Sequence, residues 1–182
     1  MDPKFSPEQM ENMLPLAVDW ASEQEARILR DGVPLSAQQI ADAKRAGVAQ
    51  PECVRLLQVD AIPAPAHPIL KAACSAINFL TSAPRGLTLN YGIFVRRDSV
   101  QDRHLILHEL AHISQYERLG GMVPFLRKYI FECFTLGYRR APLELEADEV
   151  ARRVAEAPGS SWEIRNRNVE IRNKSEAANV PS

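Results

Sequence analysis

His108, Glu109 and His112 stand in the order H-E-x-x-H within the stretch from Arg103 to Gln115. Residues four apart share one face of an α-helix, so both imidazoles can reach a single ion. Glu109, next to His108, can then approach a water at that ion and act as the catalytic general base. The chemistry that these types and this spacing point to is zinc-dependent hydrolysis, with one Zn2+ per chain. A structural pair of histidines without metal is the alternative. A hydrolytic zinc centre needs a third protein ligand, and the run Pro142 to Glu149 offers carboxylates for it. Glu144 and Asp148 are four apart and share a face, whereas Glu146 lies about 200° from Glu144 on the helical wheel. The expected division has Glu144 as ligand and Asp148 accepting the ring N–H of His108 or His112, which fixes the tautomer. Glu146 is the alternative ligand, and a solvated acidic helix face is the alternative for the whole run.

The two segments together, His108-Glu109-Leu110-Ala111-His112 and, 32 residues after His112, Glu144-Leu145-Glu146-Ala147-Asp148, resemble the gluzincin type of zinc metallopeptidase. The second wording, E-x-E-A-D, is most similar to the HtpX and CAAX-prenyl endopeptidases, and a related E-x-E-A-N wording occurs in soluble phage repressor-cleaving peptidases of the ImmA type. The chain also resembles small uncharacterised bacterial proteins with a Gly-Leu-Thr-Leu…Tyr-Gly-Ile-Phe segment before the H-E-x-x-H helix. The resemblance covers about Leu87 to Arg153. It implies a zincin-like domain, a peptide or protein substrate, and a strand before the active-site helix along which an extended substrate pairs. Leu87 to Arg97 would fill that place by β-augmentation, provided that it is an edge and not an interior strand. The chain departs from the HtpX group in having no membrane span.

Weaker candidates surround the motifs. Tyr138, with Arg139 and Arg140, precedes the second motif and could stabilise an oxyanion, or could belong to a surface loop of solvated charges. Gln115 and Tyr116 continue the active helix as packing or supporting groups. His104 reads as a helix-entry or surface residue, and His67 lies outside the site.

The elements that must position these groups are mostly helical. Ser6, Pro7 and Gln9 form a capping box before a helix that Gly32 stops, and Pro15 is expected to split it into a short turn and a longer helix from about Leu14 to Arg30. Ser36, Gln39 and Gly47 bound a second helix. Cys53 to Val59 is compatible with a strand, Ala61 to Pro68 is a proline-rich loop, and Ile69 to Leu80 carries a helical stripe. Leu87, Leu89, Tyr91, Ile93 and Val95 alternate with more polar neighbours as in one half-exposed strand, with Gly92 marking a bulge or a close approach. Asp98 or Ser99 caps the active helix, which Gly120 and Gly121 stop. Helices follow over about Val123 to Leu136 and from Pro142 to before Pro158.

The expected fold is therefore α+β, a mostly helical zincin-like domain with a small sheet beside the active-site helix. It spans residues 1–157, with an N-terminal helical scaffold (1–50), a metal-site core (87–157) and a polar C-terminal tail (158–182). That tail repeats Glu163-Ile164-Arg165-Asn166 as Glu170-Ile171-Arg172-Asn173.

Composition narrows the function classes. The 182 residues carry 22 basic and 23 acidic side chains, a net charge of −1, which gives no basic field to collect nucleic acid. No stretch reaches the roughly 18–20 apolar residues that cross a bilayer, and the first residues carry no secretory pattern, so the expected location is cytoplasmic. Cys53, Cys74 and Cys133 are odd in number and widely spaced, as for buried reduced thiols. The preferred function is zinc-dependent peptide-bond hydrolysis. The alternative is a non-catalytic or zinc-stabilised module that binds peptides or proteins on a peptidase fold.

Overall fold

The first helix, α1 (Pro7–Asp31), begins at the anticipated capping box: the Gln9 amide donates to Ser6 Oγ and the Ser6 amide to Gln9 Oε1. The helix runs unbroken through Pro15, contrary to the expected split. Pro15 and Glu11 are both exposed, so the Glu11 carbonyl that loses its intrahelical donor faces water, while buried Met10, Met13 and Leu14 hold both flanks. The computed structural model describes residues 5–76 and 84–157. The predicted C-terminal tail and the end of the helix expected to reach Leu80 lie outside the described residues.

Strand β1 (Val33–Pro34) leads to α2 (Ala37–Arg45), which starts at the Ser36–Gln39 capping box. After a short turn come β2 (Arg55–Val59) and the loop to α3 (Pro68–Ala76). The segment read as one strand is a hairpin, β3 (Gly86–Leu89) and β4 (Gly92–Arg96), closed by Asn90 and Tyr91. Asn90 takes a positive φ of 52°, and Glu25 of α1 accepts from its side chain and from the Tyr91 amide. The sheet order is β1-β2-β4-β3, with β2 parallel to β4 and both outer pairs antiparallel.

The two-residue turn changes the faces. Thr88 lies opposite Ile93, and Leu89 opposite Gly92, so Thr88, Ile93 and Val95 share one face while Leu87, Leu89 and Phe94 share the other. A single alternating strand would have put Leu87 and Ile93 together. Phe94 and Leu89 pack with Ala21 and Ile28 of α1. Gly92 marks a close approach, because an added Cβ would lie 2.8 Å from Ile28 Cδ1.

The opposite face receives α4 (Arg103–Leu119) through Ile106, Leu110 and Ile113, which cluster with Ile93, Val95 and Ala43 of α2. Asp102 caps α4 by accepting from the Leu105 amide at 3.1 Å. The expected caps do not serve: Arg97–Ser99 form a separate 3-10 turn, in which Asp98 binds Arg96. Gly120, at φ 93°, ends α4 as anticipated. Helix α5 (Met122–Leu136) packs along α1, and α6 (Pro142–Glu156) packs on α4 through Leu107, Ala151 and Val154. The architecture is α+β, mostly helical around a four-stranded mixed sheet. Support for the motif region reaches beyond residues 87–157, since β2 is an inner strand and α1 covers one sheet face. The three cysteines are free, but Cys53 is exposed, contrary to the expectation of burial, because it sits in the turn before β2. Among the described residues no helix is long and apolar enough to cross a membrane.

Candidate metal and hydrolytic site

Helix α4 presents His108 and His112 on one face, with their Nε2 atoms 3.1 Å apart. The first turn of α6 brings Glu144 to both: Oε2 lies 3.4 Å from His108 Nε2 and Oε1 3.4 Å from His112 Nε2. Glu132 of α5 sets the start of that turn by accepting from the Leu143 amide at 2.9 Å. Its other oxygen pairs with Lys128 at 2.6 Å.

The outer ring nitrogens are both engaged. His108 Nδ1 lies 2.8 Å from Asp148 Oδ1, as the four-residue spacing of Glu144 and Asp148 suggested. His112 Nδ1 lies 2.8 Å from Gln115 Oε1. The Gln115 amide nitrogen faces the Leu143 carbonyl at 2.8 Å and Glu146 Oε2 at 3.3 Å, both acceptors, so its oxygen must be the atom toward His112. Each Nδ1 is thus a donor. The Nε2 atoms are left facing one another beside a carboxylate, and that arrangement requires a cation. Without a metal the cation is a proton: burial works against a charged His108, but the Glu144 hydrogen bond and the charges of Glu109, Glu144 and Asp148 prevail and raise its pKa to about 9. Burial likewise opposes ionisation of Glu144, yet its bonds with His108 and His112 hold it far below the usual carboxylate range.

The same three residues could hold a metal ion, their donor atoms lying within 4.8 Å of one another. Two donors at about 2.0–2.1 Å from a tetrahedral zinc sit roughly 3.3 Å apart. The observed separations of 3.1, 3.4 and 3.4 Å bracket that value, so the residues fit zinc in geometry as well as in donor type.

Glu109 is buried beside this cluster. Its Oε2 accepts from the Thr88 hydroxyl at 2.6 Å, and the same hydroxyl lies 3.0 Å from the Glu109 carbonyl. The other carboxylate oxygen faces Gly86, where any Cβ would collide with it. The Tyr129 hydroxyl donates to Glu144 Oε1 at 2.7 Å. Tyr138 also reaches Glu144, and burial together with the Glu144 charge raises the pKa of both phenols, so they remain donors. Gly86 and Thr88 stood in the Gly-Leu-Thr-Leu segment without an assigned role, and Tyr129 carried no motif. Thr88 comes to Glu109 only because the hairpin turns its face toward α4.

Other candidates fall away from the centre. Glu146 does not join the ligand set: it forms a two-pronged pair with Arg118 at 2.6 and 2.8 Å, as its opposite position on the wheel dictates. It supports His112 only through Gln115. His104, Arg139 and Arg140 are exposed, and His67 accepts from the Ile69 amide far from α4 in the chain. Tyr116, Phe125 and Tyr129 stack in a row behind His112, with ring centroids 3.6 and 5.5 Å apart. They wall one side of a cleft enclosing roughly 950 Å3, its open mouth included. Strand β3 borders the same cleft and, among the described residues, has no partner strand on its outer side, whereas β4 is interior. No protein-family model, curated protein or solved structure matches this chain.

Proposed function

We propose that this protein is a zinc-dependent hydrolase of amide bonds, acting on a peptide or protein. The observation that carries the reading is the convergence of two Nε2 atoms and the Glu144 carboxylate within 3.4 Å, with a second buried carboxylate, Glu109, held alongside by Thr88. His108, His112 and Glu144 would hold the ion. When bound, it supplies Lewis acidity toward the scissile carbonyl and makes water acidic enough to deprotonate near pH 7.

The remaining steps belong to side chains. Asp148 and Gln115 keep both imidazoles in the Nδ1–H tautomer, so that Nε2 is available. Thr88 occupies one oxygen of Glu109, and the other is the proton acceptor for the attacking water. Glu109 then returns that proton to the nitrogen of the breaking C–N bond, which leaves as an amine while the carbonyl carbon gains the hydroxyl. The Tyr138 phenol, also at the cleft wall, bonds Glu144 and so supports that carboxylate. The open side of β3 supports docking of an extended backbone.

The test is a peptide library incubated with zinc-replete protein. Cleavage that a chelator abolishes and zinc restores is expected, with about one zinc per chain. Glu109→Gln should keep the metal and lose turnover by on the order of 10²–10⁴. Full metal loading with no cleavage of any peptide would favour the binding-module alternative, and unchanged turnover in Glu109→Gln would overturn the assigned base.

A further inference from the structure

The cleft extends well past the reactive groups. One end is bordered by His108, Glu109, His112 and Glu144; the other runs between α1 and α5 and reaches α3. Along α1 it touches Met13, Ala17, Trp20 and Ala21, the i, i+4, i+7 and i+8 positions of a single face. Met13 and Ala21 are eight residues apart, so this arm continues for about 12 Å along the helix. That is longer than any one amino-acid side chain. On α5, Phe125 and Tyr129 lie beside His112, and Ile130, Cys133 and Phe134 carry the lining onward.

Two occupants could fill such an arm: an extended peptide or a hydrocarbon chain. A peptide would need about four residues to span 12 Å, each bringing an N–H and a C=O that must find partners. Among the described residues the lining on α1 and α3 carries no charged side chain, and the backbone groups of α1 at Ala17, Trp20 and Ala21 are spent within the helix. Burying those peptide groups there would be costly, whereas a hydrocarbon leaves nothing unpaired. Near Glu109 the balance reverses, since β3, which among the described residues has no partner strand on its outer side, borders the cleft where a polar amide would lie.

We propose that the arm between α1 and α5 binds a linear hydrocarbon chain of roughly ten carbons, so that the amide cut at the candidate zinc site belongs to a fatty-acylated substrate, in which acyl carbon and amine nitrogen separate with addition of water. The identity of the bond rests on the hydrolase reading above; occupancy of the arm by the chain does not, and is measured separately. Trp20 lines the arm and is one of two tryptophans, the other being Trp162. Full-length Trp162→Phe protein, stripped of metal, is titrated with 11-bromoundecanoic acid and with 3-bromopropionic acid, which share a headgroup. Saturable quenching of Trp20 by the long acid alone is expected, and quenching by neither or equally by both would overturn the proposal. In the zinc-replete wild type, N-acyl glycines of two to fourteen carbons should rise in apparent affinity by about threefold to fourfold per methylene and level off near ten carbons. A flat series would overturn the chain assignment even if unacylated peptides were cleaved. Ala17→Leu should shorten the plateau by a few carbons with unchanged zinc content; a misfolded variant is recognised by its circular dichroism, and the wild-type series then decides alone.

Discussion

Hydroxyl donors hold both carboxylates of the site. Tyr129 donates to one oxygen of Glu144, and Thr88 to one oxygen of Glu109. A hydrogen bond to a charged group contributes about 1.5–3 kcal/mol. Thr88→Val should therefore lower kcat about tenfold to a hundredfold with zinc content intact, and Thr88→Ser should restore most of it. Steady-state kinetics beside elemental analysis checks this. Gly86→Ala should act more severely, since the new methyl group displaces the Glu109 carboxylate itself. The proton on His108 gives a pH prediction. In the metal-free protein its pKa is about 9, so at pH 7 it is charged and must lose its proton before Nε2 can bind an ion. Zinc uptake should release about one proton, and apparent affinity should climb about tenfold per pH unit to about pH 9 and then level. Calorimetry in two buffers of different ionisation enthalpy measures the release. The metal-free fold follows the matching window. The raised His108 pKa stabilises fully below its ordinary value of 6.5 and is lost as pH rises through 9, and the lowered Glu144 pKa stabilises above its ordinary value of 4.5 and is lost as pH falls. Urea unfolding of stripped protein should accordingly show its greatest resistance from these two groups between about pH 4.5 and 6.5.

At the scale of elements, the critical joint is that between α4, which carries the histidines, and α6, which carries Glu144. Leu107 is fully buried there against Ala151 and Val154. Leu107→Ala should cost about 2–5 kcal/mol by urea denaturation, and should weaken zinc binding without touching a ligand. Much of this joint was legible in the sequence. The helical period places His108 with His112 and Glu144 with Asp148, and the glycines and Pro142 mark where the helices stop and start. Capping boxes at Ser6 and Ser36 were equally plain, because a box is local chemistry among four residues. What escaped was non-local. The tolerance for Pro15 depends on which side of α1 faces water, and the choice of Asp102 over Asp98 depends on a 3-10 turn. The hairpin was hidden because its two-residue turn preserves the alternation of Leu87, Leu89, Tyr91, Ile93 and Val95 while reversing the chain. With it went Thr88, a residue that only its opposite partner, Ile93, assigns to the α4 side.

For the whole molecule, a bound ion would tie together segments that the chain separates by α5, and the stabilisation follows mass action. Free zinc at about 100 times its dissociation constant adds about 2.7 kcal/mol. A domain of this size gains about 2–4 °C per kcal/mol, so the thermal midpoint should rise by roughly 5–10 °C with zinc and fall back on chelation. Differential scanning calorimetry of the full chain tests this; an identical midpoint with and without zinc would contradict it. The seating of α1 on the hairpin has a consequence of another kind. Ile28 rests on Gly92, and Glu25 grips the turn at Asn90 and Tyr91. Gly92 pairs with Leu89, one residue from Thr88, whose hydroxyl holds Glu109. The longest helix among the described residues is therefore a clamp on a short lever with the proposed general base at its far end. Thickening the pivot by a single methyl at Gly92 should detune that base from the opposite face of the sheet, with every ligand left in place.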